Sequence, residues 1–218
     1  GNVDPVDTVD IIKANQEEKK FDEYKEIKCK KYDEPDKVDK KSEKINMDIE
    51  ISKAGLGYKI DCSKFKLNIN DIKTYLSILL DLRLGSTSIF SEDLKKQNLI
   101  TRDIDISLIN TDKHILVMLF VETNEIDKVL KLIESEINEL SVSKEELDRK
   151  KKTRKSGCIY RSDNIYSINN KIVSNIMNYD EVILDDYKKI NELNIKDMNY
   201  IIENLDLSNK TVYIINKS

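Results

Sequence analysis

Apolar and polar positions alternate in several short stretches and recur at helical spacing in others, and the two patterns divide the chain into elements. Asp4 followed by Pro5 is a helix start, a carboxylate cap ahead of the residue pre-set for a first turn. Val6, Val9 and Ile12 give that helix an apolar side to about Lys20. Residues 22–44 are almost entirely polar and read as a linker. From Ile45 the period changes to two: Ile45, Met47, Ile49 and Ile51 alternate with polar residues, which predicts a half-buried strand. Leu56, Tyr58 and Ile60 continue as a second extended segment after Gly55.

Asn70 is placed to cap a helix carrying Ile72, Tyr75, Leu76, Leu79 and Leu80, apolar over a broad face and therefore central. Gly85 ends it, and a Ser/Thr turn leads into a second helix near residues 88–97. Ile104, Ile106 and Leu108 alternate, residues 110–113 form a polar turn, and residues 115–121 are continuously apolar. These two segments predict an antiparallel hairpin whose second strand is buried on both faces. Asn124 opens a helix with Ile126, Val129, Leu130, Ile133, Ile137 and Leu140 on one stripe. Ser143 and Glu146 form a capping box for the next helix. Helical pattern runs through residues 163–204, and Thr211–Ile215 closes as a strand. Grouped strands and grouped helices predict an α+β fold, an antiparallel sheet with helices packed on one face. The expected organisation is a tail of a preceding domain in residues 1–21, a linker in 22–44 and one domain in 45–218.

Composition agrees with a packed core: 39% of the residues are hydrophobic and only 2 are Pro and 5 Gly. The charges, 37 basic against 41 acidic, nearly cancel at −4, which argues against a dedicated nucleic-acid binder. Cys29, Cys62 and Cys158 are odd in number and far apart, with no C-x-x-C pair, so they read as reduced thiols of a cytoplasmic protein. No apolar run approaches the ~20 residues of a membrane helix. The opening Gly1-Asn2-Val3-Asp4-Pro5 shows no signal peptide and reads as an excised piece of a longer chain.

Candidate chemistry is sparse. His114 is the single histidine and stands at the start of the most apolar strand, where a structural role is expected. A zinc site needs several converging ligands, and both H-E-x-x-H and H-x-x-E-H need two histidines. No P-loop, dinucleotide glycine motif or nucleophile elbow occurs. The basic run Arg149, Lys150, Lys151, Lys152, Arg154 and Lys155 surrounds its helix at 100° per residue instead of forming a stripe. A solvated helix is the simpler reading, and a basic surface for acidic peptide or nucleic acid the other.

The order of segments carries a resemblance. Gly1–Pro5 before an amphipathic helix is similar to a strand-to-helix turn of insulinase-type (inverted-motif) zinc peptidases. Glu34-Pro35 ahead of an alternating strand resembles the linker into that family's second homologous domain. Leu79-Leu80, the Gly85–Ser88 turn, Phe90 and Leu94 resemble its leucine-rich helix, Gly/Ser turn and following helix. Asn98-Leu99-Ile100 falls where the family has a Gly-Leu pair before a strand. Ser143–Leu147 with the basic run, and Asp186-Tyr187 through Ile195–Met198, resemble its later stretches. The closest branch is the bacterial cytosolic members, often encoded as pairs.

The resemblance implies a clamshell of two similar halves enclosing a chamber, with zinc held by the inverted motif of the first domain, which these residues do not include. This chain then corresponds to the non-catalytic C-terminal part, with no catalytic and no metal-binding residue of its own. Its partners would be the zinc-bearing N-terminal half, a peptide substrate and, in paired systems, a paralogous subunit, with no membrane. Gly85, Ser86, Ser88 and Lys96 are the candidate chamber-lining residues. Where many members carry Arg and Tyr near the zinc, Lys96 and Thr101 stand here; lysine brings charge without a planar fork, and threonine has no phenol. The alternative is a catalytically inactive scaffold or partner of an active paralogue.

Overall fold

The computed structural model describes residues 2–23, 34–179, 182 and 186–218. It divides into two compact units, Gly1–Glu34 and Pro35–Ser218. Cys29 and residues 24–33 of the polar stretch 22–44 lie outside the described residues.

In the first unit, α1 (Pro5–Glu17) begins as the sequence predicts. Asp4 Oδ1 accepts from the N–H groups of Val6 (2.8 Å) and Asp7 (3.1 Å). None of its residues is buried, and Val6, Val9, Ile11 and Ile12 are exposed.

The second unit is one five-stranded sheet with helices. Its strands are β1 (Ser42–Met47), β2 (Lys53–Asp61), β3 (Asp105–Asn110), β4 (His114–Glu122) and β5 (Lys210–Lys217), in the spatial order β1-β5-β2-β4-β3. All neighbours are antiparallel except β1 and β5, which run parallel, so the sheet is mixed. Strand β1 starts before Ile45 and stops at Met47, short of Ile49 and Ile51. Asn209 fixes the way in. Its side chain accepts from Val38 N–H (3.0 Å) and donates to the carbonyls of Asp36 (2.8 Å) and Lys59 (3.1 Å).

The helices are α2 (Ile69–Leu84), α3 (Ile89–Lys96), α4 (Ile126–Asn138), α5 (Lys144–Ser162), α6 (Ile165–Tyr179), α7 (Asp186–Glu192) and α8 (Ile195–Asn204). The core lies on one face of the sheet. Ala54, Leu56, Tyr58 and Ile60 of β2 and Ile115, Val117, Leu119 and Val121 of β4 pack with α2, whose buried residues include Ile72, Leu76, Leu79 and Leu84. Helix α4 contributes Val129, Ile133 and Ile137, while α8 adds Met198 and Ile201. Tyr75 ties α2 to α8: its hydroxyl donates to Asp197 (3.3 Å) and accepts from Asn194 N–H (3.0 Å). Burial pushes that phenol up to about 12.

Two caps differ from expectation. Asn68, not Asn70, caps α2, because its Oδ1 reaches the N–H of Asp71 three residues on (2.9 Å). Helix α4 starts after Glu125, which gives no side-chain cap; the Thr123 hydroxyl takes the Glu125 N–H (2.9 Å) in place of Asn124. The Ser143–Glu146 capping box forms as read, with bonds of 3.1 and 2.8 Å. Asn98 has φ 56°, the left-handed region where glycine is at ease and asparagine is the tolerated substitute. That conformation explains why this chain can carry Asn where the resembling family has Gly.

Candidate functional site

Because strand side chains alternate, the residues between the core positions must point to the opposite face. On β4 these are His114, Leu116, Met118, Phe120 and Glu122; the middle three lie outside the core, with Leu116 and Met118 half-buried and Phe120 48% exposed. From Leu116 to Phe120 strand β4 is therefore fully buried on one face only, which corrects the expectation of two. Ile109 of β3, Ile45 and Met47 of β1 and Tyr213 and Ile215 of β5 share the open face, with Ile109, Met47 and Tyr213 exposed.

One row across this face has an unusual composition. Asp105, Phe120, Gly55 and Tyr213 are register partners on β3, β4, β2 and β5, and Glu43 of β1 extends the row. Gly55 leaves a gap between two aromatic residues. The Phe120 ring already leans over it, since a Cβ on Gly55 would lie 3.2 Å from the ring carbons. The result is a cavity of about 460 Å³ with Gly55, Phe120, Tyr213 and Ile215 in its apolar lining. Its rim is charged. Glu122 receives Lys53 (3.0 Å) and Arg102 (3.5 Å), and the Lys53 bond holds its carboxyl below the ordinary range. Asp103 pairs with Lys95. Asp105 is exposed and has no ion-pair partner among the described residues.

The residues singled out from sequence sit elsewhere, and two have structural duties. Gly85 closes α2 and is buried; a Cβ there would collide with the carbonyl and carboxylate oxygens of Asp81, so no larger residue fits. Ser88 is 6% exposed and caps α3 by accepting from Ser91 N–H (3.1 Å). Ser86 is exposed. Lys96, in the last turn of α3, lies between Glu92 (3.9 Å) and Asp93 (3.4 Å) on the surface, and Thr101 is exposed. The passage after α3 does reach the open face, through Arg102 and Asp103.

The basic run divides by helix face. Lys150 pairs with Asp81, Lys151 donates to the carbonyls of Asn191 (2.9 Å) and Leu193 (2.6 Å), and Arg154 donates to Ser77 (2.9 Å). Burial lowers the pKa of that guanidinium. These three positions lie on the same face as the buried Leu147 and Cys158, so they fasten α5 to α2, to the end of α7 and to the turn before α8. Arg149 and Lys152 are exposed and Lys155 is half-buried.

His114 is fully buried at the end of β4. Its Nε2 lies 3.4 Å from Asp36 Oδ1, beyond good hydrogen-bond geometry, and Asp36 is held by Lys113 (2.8 Å). The Lys113 bond lowers the Asp36 carboxyl from its ordinary value. Among the described residues no three His, Cys, Asp or Glu side chains form a group that could hold a metal ion. Among them too, no helix is long and apolar enough to cross a membrane.

Sequence reasoning missed Gly55, Asp105, Phe120 and Tyr213. The available signal was Gly55-x-Gly57 inside an alternating strand, which marks a close approach or a gap on one face.

No family model and no curated protein matches the sequence. Solved structures match its fold. A protein from Alicyclobacillus acidocaldarius described as an M16-like peptidase is similar with TM-score 0.84 at 17% identity, over 99% of this chain and 52% of that one. A protease from Helicobacter pylori is similar with TM-score 0.76 at 16% identity, over 99% and 54%. The periplasmic protease PqqL from Escherichia coli is similar with TM-score 0.75 at 12% identity, over 100% and 25%. The fold is therefore the insulinase-type one of M16-like peptidases, as the sequence resemblance implies. The chain spans about half the length of the first two proteins and a quarter of the third.

Proposed function

We propose that this chain is the non-catalytic C-terminal part of a zinc peptidase of the insulinase type, closing a peptide-binding chamber against a zinc-bearing half elsewhere in the longer protein. The open apolar sheet face carries this reading. A sheet covered by helices on one side, with Phe120, Tyr213, Ile109 and Met47 exposed on the other, is built to face another surface or an enclosed space. On this reading residues 1–21 end the preceding domain, 22–44 link, and 45–218 form the closing domain.

Zinc chemistry belongs to the other half, because one histidine, buried at a strand end, offers no ligand set here. This part supplies shape and polar surface, with Arg102 and Asp103 at the rim, and Ser86 and Lys96 as exposed positions farther along the same passage. The buried thiols Cys62 and Cys158 support a reducing, cytoplasmic setting; burial pushes Cys62 up to about 11, so it stays a thiol at neutral pH.

A second reading is a catalytically inactive scaffold paired with an active paralogue. Lys96 favours it, because an ammonium brings no planar fork to the place of the family's arginine, and it is paired on the surface with Glu92 and Asp93.

Metal analysis after dialysis and a fluorogenic peptide assay test the main reading. The 218-residue chain is expected to hold no stoichiometric zinc and to cleave nothing, while the longer parent holds one zinc per chain and turns over. Tight one-to-one zinc with turnover from this chain alone overturns it; a parent without turnover leaves the scaffold.

A further inference from the structure

We propose that the slot over Gly55 is a subsite for a single lysine or arginine side chain of an extended peptide. The inference rests on the chamber reading for the source of the peptide, and on the slot's own chemistry for its selectivity.

Three features select such a side chain. The first is the gap itself. Neighbouring strands lie roughly 4.8 Å apart, so the backbones bearing Phe120 and Tyr213 are separated by about two such spacings; Gly55 between them adds no side chain, and the Phe120 ring leans into the space above it. The cavity left beside that ring, about 460 Å³, has room for one long side chain. The second is its walls, two exposed aromatic residues, whose ring faces attract cations and whose apolar surface accepts the methylene stem of a long side chain.

The third is charge. Two cations, Lys53 and Arg102, and three carboxylates, Asp103, Asp105 and Glu122, line the cavity. Both cations are engaged by Glu122, and Asp103 is engaged by Lys95. Asp105 is left without an ion pair among the described residues, in the same row as Phe120 and Gly55. The open charge at the cavity is thus negative and stands on the far side of Phe120 from Gly55. A basic side chain laid across the Phe120 ring meets Asp105 with its head and covers apolar surface with its stem. An acidic side chain meets Asp105 with like charge, and a short apolar one reaches no carboxylate.

The test uses the 218-residue chain and three blocked, unstructured Gly/Ser peptides with arginine, norleucine or glutamate at the centre, titrated by nuclear magnetic resonance. Shifts centred on Gly55, Asp105, Phe120 and Tyr213 are expected, with the arginine peptide binding at least about fivefold tighter than the norleucine one, the size of a cation–π contact plus an exposed ion pair. Asp105→Asn is expected to remove that preference, and Gly55→Val to remove binding at the slot. If Gly55→Val lowers the unfolding midpoint, Asp105→Asn decides alone, since it changes an exposed, unpaired group.

Equal binding of all three peptides, shifts confined to other surfaces, or no shift overturns the proposal. So does a dimer in sedimentation equilibrium that buries this face. The outcome is independent of the peptidase reading. A parent without turnover leaves an arginine-selective slot standing, and an active parent whose slot ignores arginine contradicts only this proposal.

Discussion

Asn98 and Gly85 show how single positions hold the passage that leads to the open face. Asn98 sits at φ 56°, where a β-carbon costs roughly 1–2 kcal/mol that asparagine partly recovers and glycine avoids. Asn98→Ala is expected to lower stability by about 1 kcal/mol in urea unfolding, and Asn98→Gly to leave it unchanged or raise it. Gly85→Ala drives a methyl group into the Asp81 carbonyl, and overpacking of this kind costs about 1–3 kcal/mol. Its expected signature is a lower unfolding midpoint, with Ser86→Ala, at an exposed position, unaffected. The sequence made Gly85 legible as a helix stop but not the reason, because the colliding oxygens belong to its own helix one turn back. His114 was legible as a residue of an apolar strand; the Asp36 carboxylate beside it was not, since only the folded entry segment brings it there.

Helix α5 illustrates what patterning can and cannot tell at the scale of an element. Its capping box was legible because the two partners lie three residues apart, a purely local geometry. Glu146 is held below its ordinary value by the backbone N–H of Ser143. A carboxyl lowered on folding stabilises the fold fully above its unfolded value of about 4.5 and loses that contribution as pH falls through the folded value. The stability gap between the native chain and Glu146→Gln is therefore expected to be present at pH 7 and to shrink toward pH 3, measured by urea midpoints; a gap independent of pH contradicts the box. The basic run was read as a ring of solvated charge because spacing alone does not reveal neighbours. Lys150, Lys151 and Arg154 turn inward since Asp81, Ser77 and the carbonyls of Asn191 and Leu193 wait there. Strand β4 carries the same lesson. A continuous apolar run reports that both faces avoid water, not that both are covered within this chain.

On the scale of the molecule, the fold class and the order of elements were legible because long periodic segments dominate and the helices lie on one side of the sheet. The parallel pairing of β1 with β5 was not, since it joins segments from opposite ends of the domain. The division between Glu34 and Pro35 falls inside the polar stretch 22–44. Limited proteolysis is expected to cut first within that stretch, and first cuts inside residues 104–140 contradict a closing domain that starts at residue 45. The central claim is that the open sheet face looks onto a peptide chamber. A photo-reactive phenylalanine analogue placed at Phe120 in the longer parent, compared with one at the exposed Tyr160 on α5, tests it directly with a labelled peptide. The account predicts capture of the peptide from position 120 and not from position 160. Equal capture from both, or capture only from position 160, contradicts it.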